Sequence, residues 1–263
     1  MKKIISLLLL SYVFIAAVAQ DNSLYRKHAF IRDTDTLPYR LMLPLNYDAK
    51  KKYPVVLFLH GAGERGTNNE AQLVHGAKLF ADSANRVKFP AIVIFPQCPY
   101  TDFWARIRGV KPMTDSTPNV LEYLADVPAG KSLEMVAKLI DSFATSGTVD
   151  TRRIYVGGLS MGGMGTFEIL WRKPGFFAAA FPICGGGNEG KAAVYGQGFP
   201  VWVFHGDKDP VVDVNDSRKM VAALKAAGAN LKYSEYPNVK HDSWSNAFAE
   251  ADLLPWLFRQ QKQ

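Results

Sequence analysis

The stretch Gly158-Leu159-Ser160-Met161-Gly162 has the residue types and spacing of a nucleophile site. It follows an apolar segment typical of a strand and precedes a helical pattern. Ser160 is therefore predicted to lie on a tight strand-to-helix turn that exposes its hydroxyl oxygen. Such a turn needs small residues nearby, and Gly158 and Gly162 meet that need. The alternative is a glycine-rich turn before an ordinary helix.

Attack on a carbonyl by Ser160 would place negative charge on the substrate oxygen, which fixed backbone N–H groups can stabilise. One predicted donor is Met161, the residue after the nucleophile, and the other lies in a loop after an earlier strand. The stretch His60-Gly61-Ala62-Gly63 follows such a strand. We expect Ala62 to be the second donor, with Gly63 as the next choice. His60 is interpreted as a structural residue that anchors this loop.

Three carboxylates follow the predicted strand 201–204: Asp207, Asp209 and Asp213. A carboxylate at this position can orient a catalytic imidazole and stabilise its charged form. Asp209 is favoured because it lies in the loop ahead of the next helix. Asp207 and Asp213 are interpreted as turn and helix-entry residues.

His241 is the candidate general base. It lies between the last predicted strand and the final helix, where a loop can deliver the imidazole to Ser160. The chain has five histidines, and only this one has both the place and the order that follow from Ser160 and Asp209. A spare surface histidine is the alternative. The others are His28, His60, His75 and His205.

Residues 98–130 show no clear periodicity, and loops of that length are usually functional or disordered. Tyr100, Phe103 and Trp104 cluster there, and their aromatic rings suit a sugar or an aromatic acyl group. Trp104 and Gly63 are the candidate substrate-binding residues, although the aromatic cluster could equally cover the sheet edge. Glu64 and Arg65 directly follow the loop at residues 60–63, and they either form an ion pair that braces this loop or are solvated.

Apolar, β-branched runs alternate with helical patterns, which is typical of a mostly parallel sheet covered by helices. The predicted strands are 28–33, 37–43, 55–59, 91–95, 154–157, 178–183, 201–204 and 231–236. The predicted helices are 131–143, 161–171, 217–227 and 246–259, the last with a possible break at Pro255.

Six stretches together resemble the α/β-hydrolase superfamily, over about residues 39–256. They are LFLHGAGERG, IFPQCP, YVGGLSMGGMGTFE, PICGGG, VWVFHGDKDPVV and KHDSW. Within the superfamily the chain is similar to the phospholipase/carboxylesterase and dienelactone-hydrolase-like branch, with its feruloyl esterase, acetyl-xylan esterase and polyhydroxybutyrate-depolymerase-like relatives. The resemblance implies a central sheet of about eight mostly parallel strands, a triad of Ser160, Asp209 and His241, and no cofactor. Dienelactone hydrolases proper use cysteine where this chain has Ser160.

These residues and the resemblance predict a serine hydrolase that cleaves carboxylic esters through an acyl-enzyme, including acyl or feruloyl esters of polysaccharides. The expected partner is a small-molecule or polysaccharide-linked ester. A serine peptidase of the prolyl-oligopeptidase type and a phospholipase or thioesterase are the alternatives. A catalytically dead binding protein on this fold would normally lack one triad residue, and none is missing from the sequence.

The N-terminal residues predict a secretory signal peptide. Lys2 and Lys3 precede an apolar run, and small residues at Ala17-Val18-Ala19 suit cleavage before Gln20. The run is about 15 residues, short of the roughly 20 that span a bilayer, so a stable membrane anchor is the less favoured alternative. We expect a signal peptide over 1–19, a single catalytic domain over 20–263, and a secreted or periplasmic location.

The formal net charge is +7, and removal of the two signal lysines leaves 29 basic and 24 acidic residues. No basic cluster accompanies this charge, which argues against nucleic-acid binding. No cysteine and histidine cluster has the spacing of a zinc site, so no metal is expected. The two cysteines, Cys98 and Cys184, follow strands that the fold separates by roughly 14 Å, and we therefore expect two free thiols.

Overall fold

The protein is described from a computed structural model, which describes residues 22–109 and 120–262. Its centre is an eight-stranded sheet with the order β1-β2-β4-β3-β7-β8-β9-β10, and β5 and β6 form a separate two-stranded sheet. The strands are β1 (Arg26–Arg32), β2 (Asp35–Met42), β3 (Tyr53–Leu59), β4 (Ile92–Pro96), β5 (Ile107–Arg108), β6 (Glu122–Tyr123), β7 (Val149–Leu159), β8 (Ala179–Ile183), β9 (Pro200–Gly206) and β10 (Asn230–Tyr236).

The sheet is mostly parallel, which confirms the prediction. Only β2 runs against its neighbours, since it pairs antiparallel with both β1 and β4. Every residue of β3, β4 and β8 is buried, as expected for strands covered by helices on both faces. Because the central strands are parallel, their carboxyl ends and the loops that follow them meet at one edge of the sheet.

The helices flank this sheet as the sequence predicts, with one correction. The predicted helix 246–259 is two helices, and the break lies at residues 250–252 rather than at Pro255. Pro255 lies in the first turn of the second helix, where a proline removes no intrahelical hydrogen bond. The helices are α1 (Ala77–Ala81), α2 (Ser83–Lys88), α3 (Lys131–Ala144), α4 (Met161–Arg172), α5 (Ala192–Tyr195), α6 (Val214–Ala226), α7 (Trp244–Ala249) and α8 (Leu253–Arg259).

The region without a predicted pattern contains the antiparallel pair β5 and β6, with Ile107 opposite Tyr123. Both residues pack against a small cluster that includes Met164 of α4 and Val212 of the loop after β9. The pair therefore lies over two elements that carry the candidate site residues.

The sequence predicts no stable membrane span and a signal peptide at the N-terminus. In the described parts of the chain, no helix combines the length and the apolar character that crossing a membrane requires. The expected signal peptide over residues 1–19 lies outside the described residues.

Cys98 and Cys184 are buried and unbonded in the structure. The strand order places β3 and β7 between β4, which precedes Cys98, and β8, which precedes Cys184. This is the separation that the sequence analysis assumed. Burial raises the pKa of the Cys98 thiol to about 12 and that of Cys184 still further, so both are neutral thiols at physiological pH.

Candidate active site

Ser160 lies on the strand-to-helix turn that the sequence predicts. It is the single residue between β7 and α4, with φ of 53° and ψ of −119°. A positive φ is strained for a residue with a Cβ. The turn is held by the backbone N–H of Ser160, which donates to the carbonyl of Ile183 on β8 at 2.9 Å.

The glycines around Ser160 allow this turn to form. A Cβ on Gly162 would collide with the backbone carbonyl of Leu59, and one on Gly158 would collide with the backbone of Gly162. Backbone atoms cannot move aside as a flexible side chain can. The small residues at these two positions are therefore required by the close approach of α4 to the end of β3.

The structure brings Ser160, His241 and Asp209 together into one hydrogen-bonded chain. His241 Nε2 lies 2.9 Å from Ser160 Oγ, and His241 Nδ1 lies 2.7 Å from Asp209 Oδ2. Asp209 and His241 come from different loops and are 32 residues apart in sequence. This arrangement can transfer the Ser160 proton to His241 while the carboxylate fixes the imidazole tautomer.

Hydrogen bonds stabilise the ionised form of Asp209, although its side chain is fully buried. Its Oδ1 accepts hydrogen bonds from the backbone N–H groups of Val211 at 2.8 Å and Val212 at 3.0 Å. Burial raises the pKa of this carboxyl, but hydrogen bonds from His205, His241 and the backbone outweigh that effect. The resulting pKa is well below its usual range.

The two competing carboxylates take the plainer roles that the sequence analysis gave them. Asp207 Oδ1 accepts from the backbone N–H of Asn238 at 2.6 Å and thereby ties two loops together. Asp213 is the N-cap of α6 and accepts from the backbone N–H of Asn215 at 2.9 Å. Neither side chain has a hydrogen bond to His241 among the described residues.

The predicted oxyanion loops lie side by side, because β3 and β7 are paired and Leu59 is opposite Gly158. Ala62 begins a short 3₁₀ turn after β3, and Met161 is the first residue of α4. A Cβ added at Gly63 would meet nothing within 4 Å, so Gly63 borders open space. The positions of these residues are compatible with the predicted oxyanion and substrate-binding roles.

His60 anchors its loop as expected. Its Nδ1 donates to the carbonyl of Gly61 at 2.6 Å, and its Nε2 accepts from the backbone N–H of Cys98 at 3.0 Å. Burial lowers the pKa of His60 to about 4. The ring is therefore neutral at physiological pH and is committed to the loop rather than to the reaction.

Trp104, a candidate substrate-binding residue from the sequence, contacts the loop after β3 in the structure. Its side chain is fully buried, and the indole Nε1 donates to the carbonyl of His60 at 3.0 Å. Its ring lies edge-on to His60, with centroids 5.2 Å apart, and its Cβ occupies the space that a side chain at Gly165 would need. Trp104 therefore supports the loop after β3 through its contacts with His60.

Of the two alternatives for Glu64 and Arg65, the ion pair between them is not formed. Glu64 instead faces His75, with Oε1 3.8 Å from Nε2. Arg65 donates to the carbonyls of Ala62 at 3.1 Å and Tyr100 at 3.2 Å. The loop is braced by Arg65 hydrogen bonds to backbone oxygens, which the charge pattern could not reveal.

Sequence reasoning missed the placement of His205. Its Nε2 lies 3.2 Å from Asp209 Oδ2, the oxygen that also accepts from His241. The available signal was the four-residue spacing between His205 and Asp209 in the stretch after β9.

In the part of the chain that the structure describes, one group of side chains has metal-ligand spacing. The ligand atoms of Cys184, Asp209 and His241 lie within 4.8 Å of one another. Two of these side chains are already joined by the hydrogen bond described above, and the Cys184 thiol is neutral. The geometry therefore favours proton transfer over metal binding.

Solved structures with this fold include several esterases. A thermostable esterase superimposes with a TM-score of 0.79 and 36% sequence identity, over 91% of this chain and 64% of that chain. The feruloyl esterase module from Clostridium thermocellum, complexed with sinapinate, has a TM-score of 0.63 and 17% identity, over 91% of this chain and 89% of that one. At this lower identity the likeness shows the fold alone.

A relative by sequence is the bifunctional acetylxylan esterase/xylanase of Neocallimastix patriciarum. It is 32% identical over 88 residues, which are 34% of this chain and 13% of that protein. The chain thus spans only a small part of that relative. The sequence profile of the phospholipase/carboxylesterase family, in contrast, matches residues 45–252. These residues contain the nucleophile turn and both loops that carry Asp209 and His241, and the chain belongs to the phospholipase/carboxylesterase family.

Proposed function

We propose that this protein is a serine esterase that hydrolyses carboxylic esters through an acyl-enzyme. The observation that carries the proposal is the hydrogen-bonded chain from Ser160 through His241 to the buried carboxylate of Asp209. Membership of the phospholipase/carboxylesterase family and the 36% identity to a thermostable esterase support the same reaction.

In the proposed reaction Ser160 Oγ attacks the ester carbonyl while His241 Nε2 takes its proton. The backbone N–H groups of Met161 and Ala62 stabilise the oxyanion, and His241 then protonates the leaving alcohol. Water attacks the acyl-enzyme by the same route in reverse and releases the acid. Asp209 keeps the proton on Nδ1 of His241, so that Nε2 is free to act as the base.

For the substrate we propose acyl or feruloyl esters, either as small molecules or linked to polysaccharides. The proposal is supported by the kinds of protein that the chain resembles, an acetylxylan esterase by sequence and feruloyl esterases by fold. A panel of methyl ferulate, acetylated xylan, short and long p-nitrophenyl esters, a phospholipid, a thioester and an aminoacyl p-nitroanilide tests it. Preferential cleavage of the anilide or of the phospholipid would favour the peptidase or the phospholipase alternative.

The activity itself is tested with Ser160→Ala and a fluorophosphonate probe. Loss of the nucleophile should reduce kcat by roughly 10⁴-fold to 10⁶-fold, and the probe should label the wild type at Ser160 but not the variant. Ser83→Ala is the matched control because Ser83 is an exposed serine at the start of α2, and it should leave both readouts unchanged. A Ser160→Ala protein that keeps more than a few per cent of the activity would refute the assignment.

A further inference from the structure

A second histidine lies against the carboxylate that holds His241. His205 is the next-to-last residue of β9, and its side chain is fully buried, as is that of Asp209. Asp209 Oδ2 lies 3.2 Å from His205 Nε2 and 2.7 Å from His241 Nδ1. One carboxylate oxygen is thus shared by two imidazole rings, and the reaction described above uses only one of them.

The other ring nitrogen of His205, Nδ1, faces the hydroxyl of Ser217, whose only proton is donated to another group. Ser217 Oγ lies 2.6 Å from the carbonyl oxygen of Gly185 and 2.7 Å from His205 Nδ1. Two oxygens at 2.6 Å repel unless a proton lies between them, so the hydroxyl must donate to Gly185. Ser217 can then only accept from His205, and Nδ1 must carry a proton.

His205 Nε2 is in the same situation, because both atoms in front of it are acceptors. They are Asp209 Oδ2 and the backbone carbonyl of Val212, which lies at 3.1 Å. An unprotonated Nε2 would place its lone pair against a carboxylate and a carbonyl in a fully buried site, and unpaired buried acceptors are costly. Either neutral tautomer therefore leaves one side of the ring facing acceptors without a proton.

We propose that His205 is a positioning residue that is held doubly protonated beneath Asp209 and sets the pH range in which His241 acts as a base. The inference rests on the proposed esterase function, since it concerns how Asp209 and His241 are prepared for that reaction. A buried cation is tolerated where it is paired and fully hydrogen-bonded, and His205 has an ionised partner on one side and acceptors on both.

The charges on the neighbouring elements are compatible with a cation at this position. Asp216 of α6 and Glu235 of β10, the register partner of His205, are carboxyl groups on neighbouring elements. Burial raises the pKa of Asp216, whereas the hydrogen bond from Arg218 lowers the pKa of Glu235 to about 2. Glu235 is itself paired with Arg218 at 2.6 Å. Asp216 accepts a hydrogen bond from Tyr123, and Cys184 nearby is a neutral thiol.

The positive charge of His205 has a defined effect on His241. The two ring nitrogens are bonded to the same oxygen, so they can be no more than about 6 Å apart. A cation at that distance disfavours protonation of His241, and its free-base form therefore persists to lower pH. With an effective dielectric constant of about 20, removing the charge should move the acid limb of kcat/KM to higher pH by up to about two pH units.

The protonation state can be measured without any enzymatic assay. Long-range proton–nitrogen correlation spectra of the ¹⁵N-histidine-labelled protein distinguish the forms, because the two nitrogens of an imidazolium resonate close together and those of a neutral ring are well separated. Comparison with His205→Gln assigns the signal. At about pH 8, above the ordinary histidine pKa of about 6.5, we expect the His205 nitrogens to remain close together, and a well-separated pair would overturn the inference.

The kinetic test uses two variants that remove the charge in different ways. His205→Gln keeps an amide donor toward Asp209 without the charge, and Ser217→Ala removes the acceptor on the Nδ1 side without touching Asp209. Both should move the acid limb to higher pH. His28→Gln, on β1 at the opposite edge of the sheet, is the control and should leave the limb in place.

The outcomes separate this inference from the proposed function. A loss of kcat in both variants with an unchanged acid limb would mean that His205 is only structural. Should His205→Gln fail to fold, the acid limb of Ser217→Ala still decides the question. If the wild type cleaves no ester while its His205 remains doubly protonated, the esterase proposal fails and the protonation state stands.

Discussion

Replacement of Asp209 by Asn would put a hydrogen-bond donor in place of an acceptor at one atom while preserving the shape of the side chain. The two backbone N–H groups of Val211 and Val212 require an acceptor, so the amide oxygen of the asparagine should take the place of Oδ1. The amide nitrogen is then left at the place of Oδ2, 2.7 Å from His241 Nδ1. Two donors cannot share that contact, and His241 must shift its proton from Nδ1 to Nε2.

The loss of activity follows from the contact between His241 and Ser160. With its proton on Nε2, His241 donates toward Ser160 Oγ and cannot accept the proton that Ser160 must lose. The equivalent change in the serine-protease triad lowers kcat by about 10⁴-fold, which corresponds to about 5 kcal/mol of transition-state stabilisation. We expect Asp209→Asn to lose activity on this scale while it retains the wild-type fold.

The assay compares kcat on a short p-nitrophenyl ester for the three Asp→Asn variants at positions 207, 209 and 213, with circular dichroism to confirm folding. The asparagine at 207 can still accept from Asn238, and asparagine at 213 is as good an N-cap as aspartate. Both variants should therefore stay within a few-fold of the wild type. The reasoning is refuted if Asp207→Asn or Asp213→Asn loses as much activity as Asp209→Asn, or if Asp209→Asn loses less than about tenfold.

Three other predictions concern the support of the site, the thiols and the N-terminus. Trp104→Phe should lower the free energy of unfolding by about 1–3 kcal/mol, because the buried carbonyl of His60 loses its donor. Denaturant titration should show this loss of stability, and KM should be unchanged. A changed KM at unchanged stability would instead support Trp104 as a substrate contact. Thiol titration of the denatured, unreduced protein should find both Cys98 and Cys184 free, and a titre of zero would mean a disulfide. The protein purified from its native host should begin at Gln20 by intact mass, as expected for a secreted or periplasmic protein, whereas a mass that includes residues 1–19 would indicate a tethered form.

The sheet and the three triad candidates were predictable from the sequence because local patterns determine them. A buried parallel strand reads as a continuous apolar run, and β3, β4 and β8 do so. The turn at Ser160 needs glycine at 158 and 162, since any Cβ there would collide with backbone atoms. Asp209 and His241 follow strands whose carboxyl ends must meet at one edge of the sheet.

The tertiary structure alone decided which side chains around these residues face the site and which support it. Trp104 has the aromatic side chain typical of a sugar-binding residue. In the structure it donates to the carbonyl of His60, 44 residues away in sequence, and fills the space beside Gly165. The shared carboxylate of Asp209 likewise depends on β9 and the loop after β10 lying side by side. Contacts of this kind depend on distance and direction between side chains that are far apart in sequence. Residue type and spacing specify the strand and the turn, whereas burial and hydrogen-bond partners are settled only when the elements pack.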